Sequence, residues 1–498
     1  MIRLAFAFRE KFRKDVVVDM VCYRRYGHNE GDEPGFTQPR MYELIRNRRS
    51  VRKLYTELLV NRGDISVEEC EQVLEDYQRT LEHAFDETHG DPDQAWDDAT
   101  TTATPLPNGD SAPTAVDATT LSGVIDVLTT FPEGFTVHPK LARILEGRRT
   151  GFDRDDIDWA TAEALAFGTL VLEGSTVRVA GQDTRRGTFS QRHATLVDYE
   201  TEAEYTPLAH LRADQAPFMI YDSVLSEYAA LGFEYGYSIA RHDALVCWEA
   251  QFGDFANVAQ ATIDQFIVAA LDKWGQHSGL TLLLPHGFEG QGPEHSSARI
   301  ERFLTLCAEN NIRVAYPTTA ANYFHLLRRQ VRSAERVPLV VFTPKKYLRM
   351  PSTTSAVADF TTGTFQPVLG DPSAPDAASV RRVLVCTGKI GLELIERRNS
   401  LGAPAAVVRV EQLYPVPFAE LTAAFDRFPN LESVIWVQEE PANMGARIFA
   451  LPIMDQILPD TIEYTALARP TSASPASGSS KVHDAEQESL LTAAFAGL

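Results

Sequence analysis

From residue 158 to residue 343 the chain alternates helical patterns with short apolar runs, and this alternation restricts the fold more than any other feature. Helical patterns over 158–173, 226–240, 255–274, 296–309 and 319–334 precede apolar runs at 177–180, 244–248, 280–284, 312–315 and 338–343. Runs that are apolar on both faces suit parallel strands with helices on either side of the sheet. A second, smaller pattern follows, with strands predicted at 382–386, 405–410, 433–437 and 461–465 and a last helix over 482–496. The expected fold class is α/β, with parallel sheets covered on both faces and a separate, smaller C-terminal α/β domain. Stretches rich in Asp, Thr, Ser and Pro at 89–120 and 351–379 predict linkers, which bounds the segments 1–88, 121–350 and 380–498. In the first segment, Val16 to Val21 reads as a strand, and Ser66 with Glu69 as a capping box opening a helix. The amphipathic start, running straight into that strand, suggests that the chain begins inside a domain.

A net charge of −21 opposes nucleic-acid binding through the bulk surface. No apolar run reaches the length of a membrane span. The cysteines, Cys22, Cys70, Cys247, Cys307 and Cys386, form no C-x-x-C pair and no zinc spacing, so mostly buried free thiols in a reducing, cytoplasmic setting are expected.

Open parallel sheets bind ligands beyond the carboxyl ends of their strands. Four polar, glycine-bearing loops follow predicted strands: 23–32, 181–189, 248–255 and 286–299. The last carries His286, three glycines within six residues, Gln291, His295, Ser296 and Ser297; its plainer alternative is a surface turn capped by one of the serines. Glu227 and Glu234 lie seven apart on one helix face. Both facing solvent is the ordinary expectation; the alternative buries Glu227 at the helix start against a ligand nitrogen. The arginines at 328, 329, 332 and 336 are expected on a solvated helix face or at an anionic-effector site. No third ligand accompanies His286 and His295 at a metal-binding spacing, so no metal site is expected within the chain. Neither a Gly-x-Ser-x-Gly elbow nor a phosphate-binding glycine motif is present.

The segments Tyr26-Gly27-His28-Asn29-Glu30-Gly31-Asp32, Gly187-Thr188-Phe189, 248–255, 286–299 and Ala473-Ser474-Pro475-Ala476 carry a resemblance to a known family. Nearly the whole chain resembles the C-terminal part of the thiamine-diphosphate-dependent first component of the 2-oxoglutarate dehydrogenase complex, and most closely its actinobacterial members, which also act as 2-oxoglutarate decarboxylases. The resemblance implies a transketolase-like fold. Residues 121–350 would be its pyrimidine-binding domain, and 1–88 would include the tail of its diphosphate-binding domain. It implies that Glu227 contacts the cofactor's pyrimidine ring and drives its amino group to the imino form. It places Phe252 and Phe255 against that ring, His295 at proton transfer and His28 near the diphosphate. Gln291 and Asp183 follow as candidates for substrate contact and proton relay. The implied reaction is decarboxylation of 2-oxoglutarate and transfer of the succinyl group to a lipoyl-bearing acyltransferase, in a homodimer whose sites lie between subunits. The family's Gly-Asp-Gly magnesium motif has no counterpart, because Gly-Asp at 31, 63, 90, 109, 253 and 370 never continues as Gly-Asp-Gly. Magnesium ligands and the diphosphate half are therefore expected outside these residues. The alternatives are a non-catalytic dimerisation fragment and a related transketolase-fold 2-oxoacid dehydrogenase subunit.

Overall fold

A computed structural model describes residues 1–29, 31–89 and 113–498, so Glu30 and most of the expected 89–120 linker lie outside the described residues. The chain divides into two compact units, Met1–Thr102 and Ala103–Leu498.

The first unit carries helices Ile2–Phe12, Pro39–Asn47, Val51–Arg62 and Val67–Thr88. The last begins on the capping box read from the sequence: Glu69 N–H donates to Ser66 Oγ at 3.1 Å, and Ser66 N–H to Glu69 Oε2 at 2.7 Å. The strand expected at 16–21 is absent: this stretch is irregular, with Val17 91% and Val21 90% exposed. An apolar run becomes a strand only when a neighbour takes its backbone N–H and C=O groups, and no strand is described in this unit to do so.

The second unit holds two main sheets. Its principal strands are β1 Val177–Gly181, β2 Phe218–Asp222, β3 Leu245–Glu249, β4 Leu280–Pro285, β5 Arg313–Ala315, β6 Leu339–Thr343, β7 Val368–Leu369, β8 Arg382–Cys386, β9 Ala405–Val410, β10 Gln412–Tyr414, β11 Ser433–Pro441 and β12 Glu463–Arg469. Seven of them form one sheet in the order β10-β5-β6-β4-β3-β1-β2, parallel except for β10. The other five form a second sheet in the order β12-β11-β8-β9-β7. Every residue of β3 and β4 is buried, as strands covered on both faces require. Helix Trp159–Leu172 is buried over all but its last residue, which fits its almost continuous apolar sequence.

The smaller domain has its own sheet but packs against the larger one. The chain leaves β9 and, after one residue, pairs β10 antiparallel with β5 of the larger sheet, and one apolar cluster runs from Val246, Leu282 and Val340 to Val385, Val408 and Trp436. The stretch 351–379 is likewise no free linker, because Phe360 and Phe365 are 0% and 4% exposed in the core. Two arginines of helix Ala320–Arg332 also depart from expectation, whereas Arg332 is exposed. Arg328 is buried and donates to the Thr114 carbonyl, Thr169 and Glu173, while Arg329 is buried between Gln412 and the Phe365 ring. Of the cysteines, Cys247 and Cys386 are buried, Cys70 and Cys307 half-buried and Cys22 exposed. No described helix is long and apolar enough to cross a membrane.

Candidate active site

Four adjacent parallel strands, in the order β4-β3-β1-β2, end on one side of the larger sheet, and the loops leaving them meet there. The loop after β1 carries Gln182, Asp183, Thr184 and Phe189. Asp183 is exposed and takes a left-handed φ of 56°, a conformation disfavoured for side-chain-bearing residues and concentrated at functional sites. Its Oδ2 accepts a bond from Gln251 Nε2 at 3.1 Å, joining this loop to the one after β3.

Glu227 opens helix Glu227–Ala240, which follows β2, and Ser226 caps it by accepting from Ala229 N–H at 3.3 Å. Glu227 is only half-buried, and its Oε1 accepts from Gln182 Nε2 at 2.8 Å. The buried carboxylate is Glu234, 2% exposed and gripped by Arg178 of β1 through bonds of 2.7 and 2.8 Å. Glu227 and Glu234 therefore divide the roles that the sequence left open: one is half-exposed at the helix start and the other secures the helix to the sheet.

Phe252 and Phe255 follow β3, half-buried, with ring centroids 6.0 Å apart. His295 stands edge-on to both, at 4.5 Å from Phe252 and 5.8 Å from Phe255, and Phe189 meets Phe252 from the other side at 5.4 Å. Gly253 between the two aromatics is obligatory, because a Cβ there would lie 2.4 Å from Ala298 Cβ and 2.7 Å from the Pro285 carbonyl oxygen. That close approach brings the loops after β3 and β4 into contact.

The 286–299 loop is not a surface turn capped by serine. Ser296 and Ser297 are 1% and 0% exposed, and their backbone N–H groups both donate to Asp254 Oδ1, at 3.2 and 3.0 Å. At the loop's root, His286 Nδ1 accepts from Ala298 N–H at 3.0 Å, so Nε2 carries the ring proton and donates to Glu440 Oε1 at 2.8 Å. Glu439 beside it accepts from Phe288 N–H at 3.1 Å and pairs with Lys389 at 2.5 Å. Burial opposes the charge on Lys389, but Glu439 and Glu393 outweigh it and hold its pKa above the ordinary value. His286, Glu439 and Glu440 lie within 4.8 Å of one another, the one such grouping among the described residues with cation-binding spacing. With its Nε2 proton committed to Glu440, the imidazole has no lone pair free for a metal, and the cluster serves as an anchor for the loop.

Beneath the site lies an ionic node that the sequence did not disclose. Arg192, 4% exposed, reaches Glu163 at 2.5 Å and Glu249 at 2.6 Å, and also bonds the Thr184 carbonyl and hydroxyl, each at 2.9 Å. Burial opposes its charge, yet the two glutamates keep its pKa well above the ordinary value. Tyr323 completes the node by donating to Glu163 Oε2 at 2.8 Å. Lys345, bonded to Gln291 Oε1 at 2.9 Å, was also missed, since it is a single polar residue with no motif around it, and Gln182, though inside the 181–189 loop, carried no role of its own.

The structure thus gathers Glu227, Asp183, Phe252, Phe255, Gln291 and His295 around loops that leave neighbouring strands. His28 belongs to the first unit, where it is exposed: its Nδ1 lies 2.9 Å from Arg24 Nη1 and its N–H donates to Asp32 Oδ2 at 3.0 Å.

Residues 155–351 match the transketolase pyrimidine-binding domain, residues 354–495 the 2-oxoglutarate dehydrogenase C-terminal family, and residues 1–96 the dehydrogenase E1 component. A multifunctional 2-oxoglutarate metabolism enzyme of Mycobacterium sp. (strain KMS) is 49% identical over 507 residues, an alignment covering 99% of this chain and 40% of the relative. One of the same name from Mycolicibacterium vanbaalenii is 48% identical over 507 residues, covering 99% of this chain and 41% of the relative. The chain spans about 40% of the length of the curated relatives it matches. Fold, motifs and these matches agree that the chain carries a transketolase-type pyrimidine-binding region over residues 155–351 and a 2-oxoglutarate dehydrogenase C-terminal region over residues 354–495.

Proposed function

We propose that this chain forms the pyrimidine-side wall of a thiamine-diphosphate site that decarboxylates 2-oxoglutarate and passes the succinyl group to a lipoyl group on a partner acyltransferase. The observation that carries this reading is the meeting of Phe252, Phe255 and His295, with the Glu227–Gln182 pair, on loops from four adjacent strands. The residues fit that half of the cofactor. Phe252 and Phe255 offer an apolar wall for a flat ring, and Glu227 offers a half-exposed carboxylate to a ring nitrogen. When bound, the cofactor supplies the electron sink for carbon–carbon cleavage, which no side chain provides. Glu227 Oε1 and Oε2 hold the proton exchanged with the pyrimidine, while Gln182 fixes the carboxylate's orientation. The His295 ring is kept upright against Phe252 and Phe255, where it exchanges a proton with substrate. Asp183, tied to Gln251, is the relay to solvent, and Gln291 contacts substrate. His28 is assigned to the diphosphate, and magnesium ligands to residues outside this chain.

A homodimer and a cytoplasmic location belong to the same proposal. In support, Val224, Leu225, Tyr228 and Phe233 around the Glu227 helix are 69%, 87%, 52% and 61% exposed, an apolar rim suited to burial by a second subunit. The test mixes this chain with the N-terminal portion of the mycobacterial relative, thiamine diphosphate and magnesium, and follows 2-oxoglutarate-dependent release of carbon dioxide. Glu227→Ala is expected to lower kcat by roughly 100-fold or more without shifting the thermal midpoint. Near-parental turnover in that variant would remove Glu227 from the chemistry. Two folded pieces that never turn over would leave the chain a non-catalytic binding fragment.

A further inference from the structure

Lys345 is 4% exposed and stands two residues beyond β6, the neighbour of β4 on the side away from β3. It forms no ion pair with any described carboxylate. Its ammonium donates instead to two neutral oxygens of the 286–299 loop: Gln291 Oε1 at 2.9 Å and the His295 carbonyl at 2.6 Å. Its stem lies 3.8 Å from where a Cβ on Gly287 would stand, so the side chain runs along the loop from root to tip. Burying an ammonium against neutral acceptors is unfavourable for folding, and such groups persist where a site uses them. The ordinary value is depressed here: burial pushes the Lys345 pKa down, the more distant Glu289, Asp254 and Glu439 pull it up, and Lys389 opposes them. The opposite face of the loop is fixed by other means, since Asp254 holds Ser296 and Ser297, and Glu439 holds Phe288. Between those anchors, the carbonyl of His295 and the side chain of Gln291 are secured by Lys345.

We propose that Lys345 is a positioning residue for this site: by holding the Gln291 side chain and the His295 carbonyl together, it sets the His295 ring against Phe252 and Phe255. The proposal rests on the site assignment above, but its primary test needs neither cofactor nor turnover. Lys345→Met keeps the stem and removes the donor. Lys346→Met, at the exposed neighbour, is the control. In the isolated chain, hydrogen exchange over 290–297 is expected to quicken about tenfold in Lys345→Met, as the loss of two bonds to a charged donor implies, with peptides from β4 and β11 unchanged. The His295 ring resonances are expected to move with it, and Lys346→Met to change neither. If Lys345→Met does not fold, Lys345→Gln, which keeps one donor and loses the charge, is read by the same two measurements. A folded variant with parental exchange over 290–297 and parental His295 resonances overturns the proposal. In the reconstituted enzyme kcat is expected to fall with KM for 2-oxoglutarate nearly unchanged; an unchanged kcat also overturns it. Failure of the reconstituted system to decarboxylate would refute the site's assignment, while the exchange experiment would still decide what Lys345 does.

Discussion

Replacing Arg192 with methionine should expose how much of the site's rigidity rests on one guanidinium. In the parent, Arg192 answers both Glu163 and Glu249, which are each 4% exposed. Methionine fills similar space but leaves two buried carboxylates without the one cation that pairs with both. The least unfavourable escape is for one of them to bind a proton. At pH 7 that costs about 1.36 × (7 − 4.3), or roughly 3.7 kcal/mol, from the ordinary glutamate value. This agrees with the roughly 3–5 kcal/mol typical of breaking a buried ion pair from one side. The sign of the pH dependence follows from the same proton. In the variant the folded-state carboxyl pKa lies above its unfolded value, so the native state binds the extra proton and is favoured as pH falls toward about 4.3. The deficit should therefore shrink by about 1.4 kcal/mol per pH unit, or roughly 2.7 kcal/mol between pH 7 and pH 5. Urea unfolding of parent and Arg192→Met at the two pH values measures both quantities. A loss below about 1 kcal/mol at pH 7, the scale of an exposed pair, would refute the electrostatic account, as would a deficit that grows on acidification.

Two further outcomes follow from packing and burial. Gly388→Ala would set a Cβ 2.1 Å from Tyr316 Cε1 at a residue with φ of +72°, so a loss of about 2–4 kcal/mol is expected from strain and overpacking; calorimetry showing less than about 1 kcal/mol would mean that Tyr316 moves freely aside. Burial pushes the thiols of Cys307 and Cys386 up to about 12 and raises that of Cys247, whereas Cys22 is exposed, so iodoacetamide at pH 8 should label Cys22 first and leave Cys247 and Cys386 unmodified until unfolding. Mass spectrometry finding native Cys386 labelled as fast as Cys22 would contradict the packing around β8.

The sheet was legible because its strands write themselves locally: 280–284 is leucine at every position but Thr281, and it lies buried between neighbouring strands. The run at 16–21 looks much the same and forms no strand, because pairing depends on a neighbour that composition does not reveal. The loops at 181–189, 248–255 and 286–299 were legible as site loops because glycines and polar residues cluster after strands. The supports behind them were not. Glu163, Arg192 and Glu249 come from a helix, a loop and a strand end far apart in sequence, and nothing local marks them as one node. The same limit explains the two glutamates of the 227–240 helix. Helical spacing puts Glu227 and Glu234 on one face, but only the position of Arg178 on β1 decides which is buried.

β10 is three residues long, yet it limits how this protein can be cut, shuffled or shortened. The family boundary between 351 and 354 suggests a convenient place to separate two modules. A piece ending there would lose β10 and leave β5 as the bare border of the larger sheet, with backbone N–H and C=O groups open to any passing strand. A piece beginning there would carry β10 with nothing to pair it. Truncations at this boundary should therefore yield self-associating material, and exchanges of the C-terminal region between relatives should succeed only where the incoming β10 complements the resident β5.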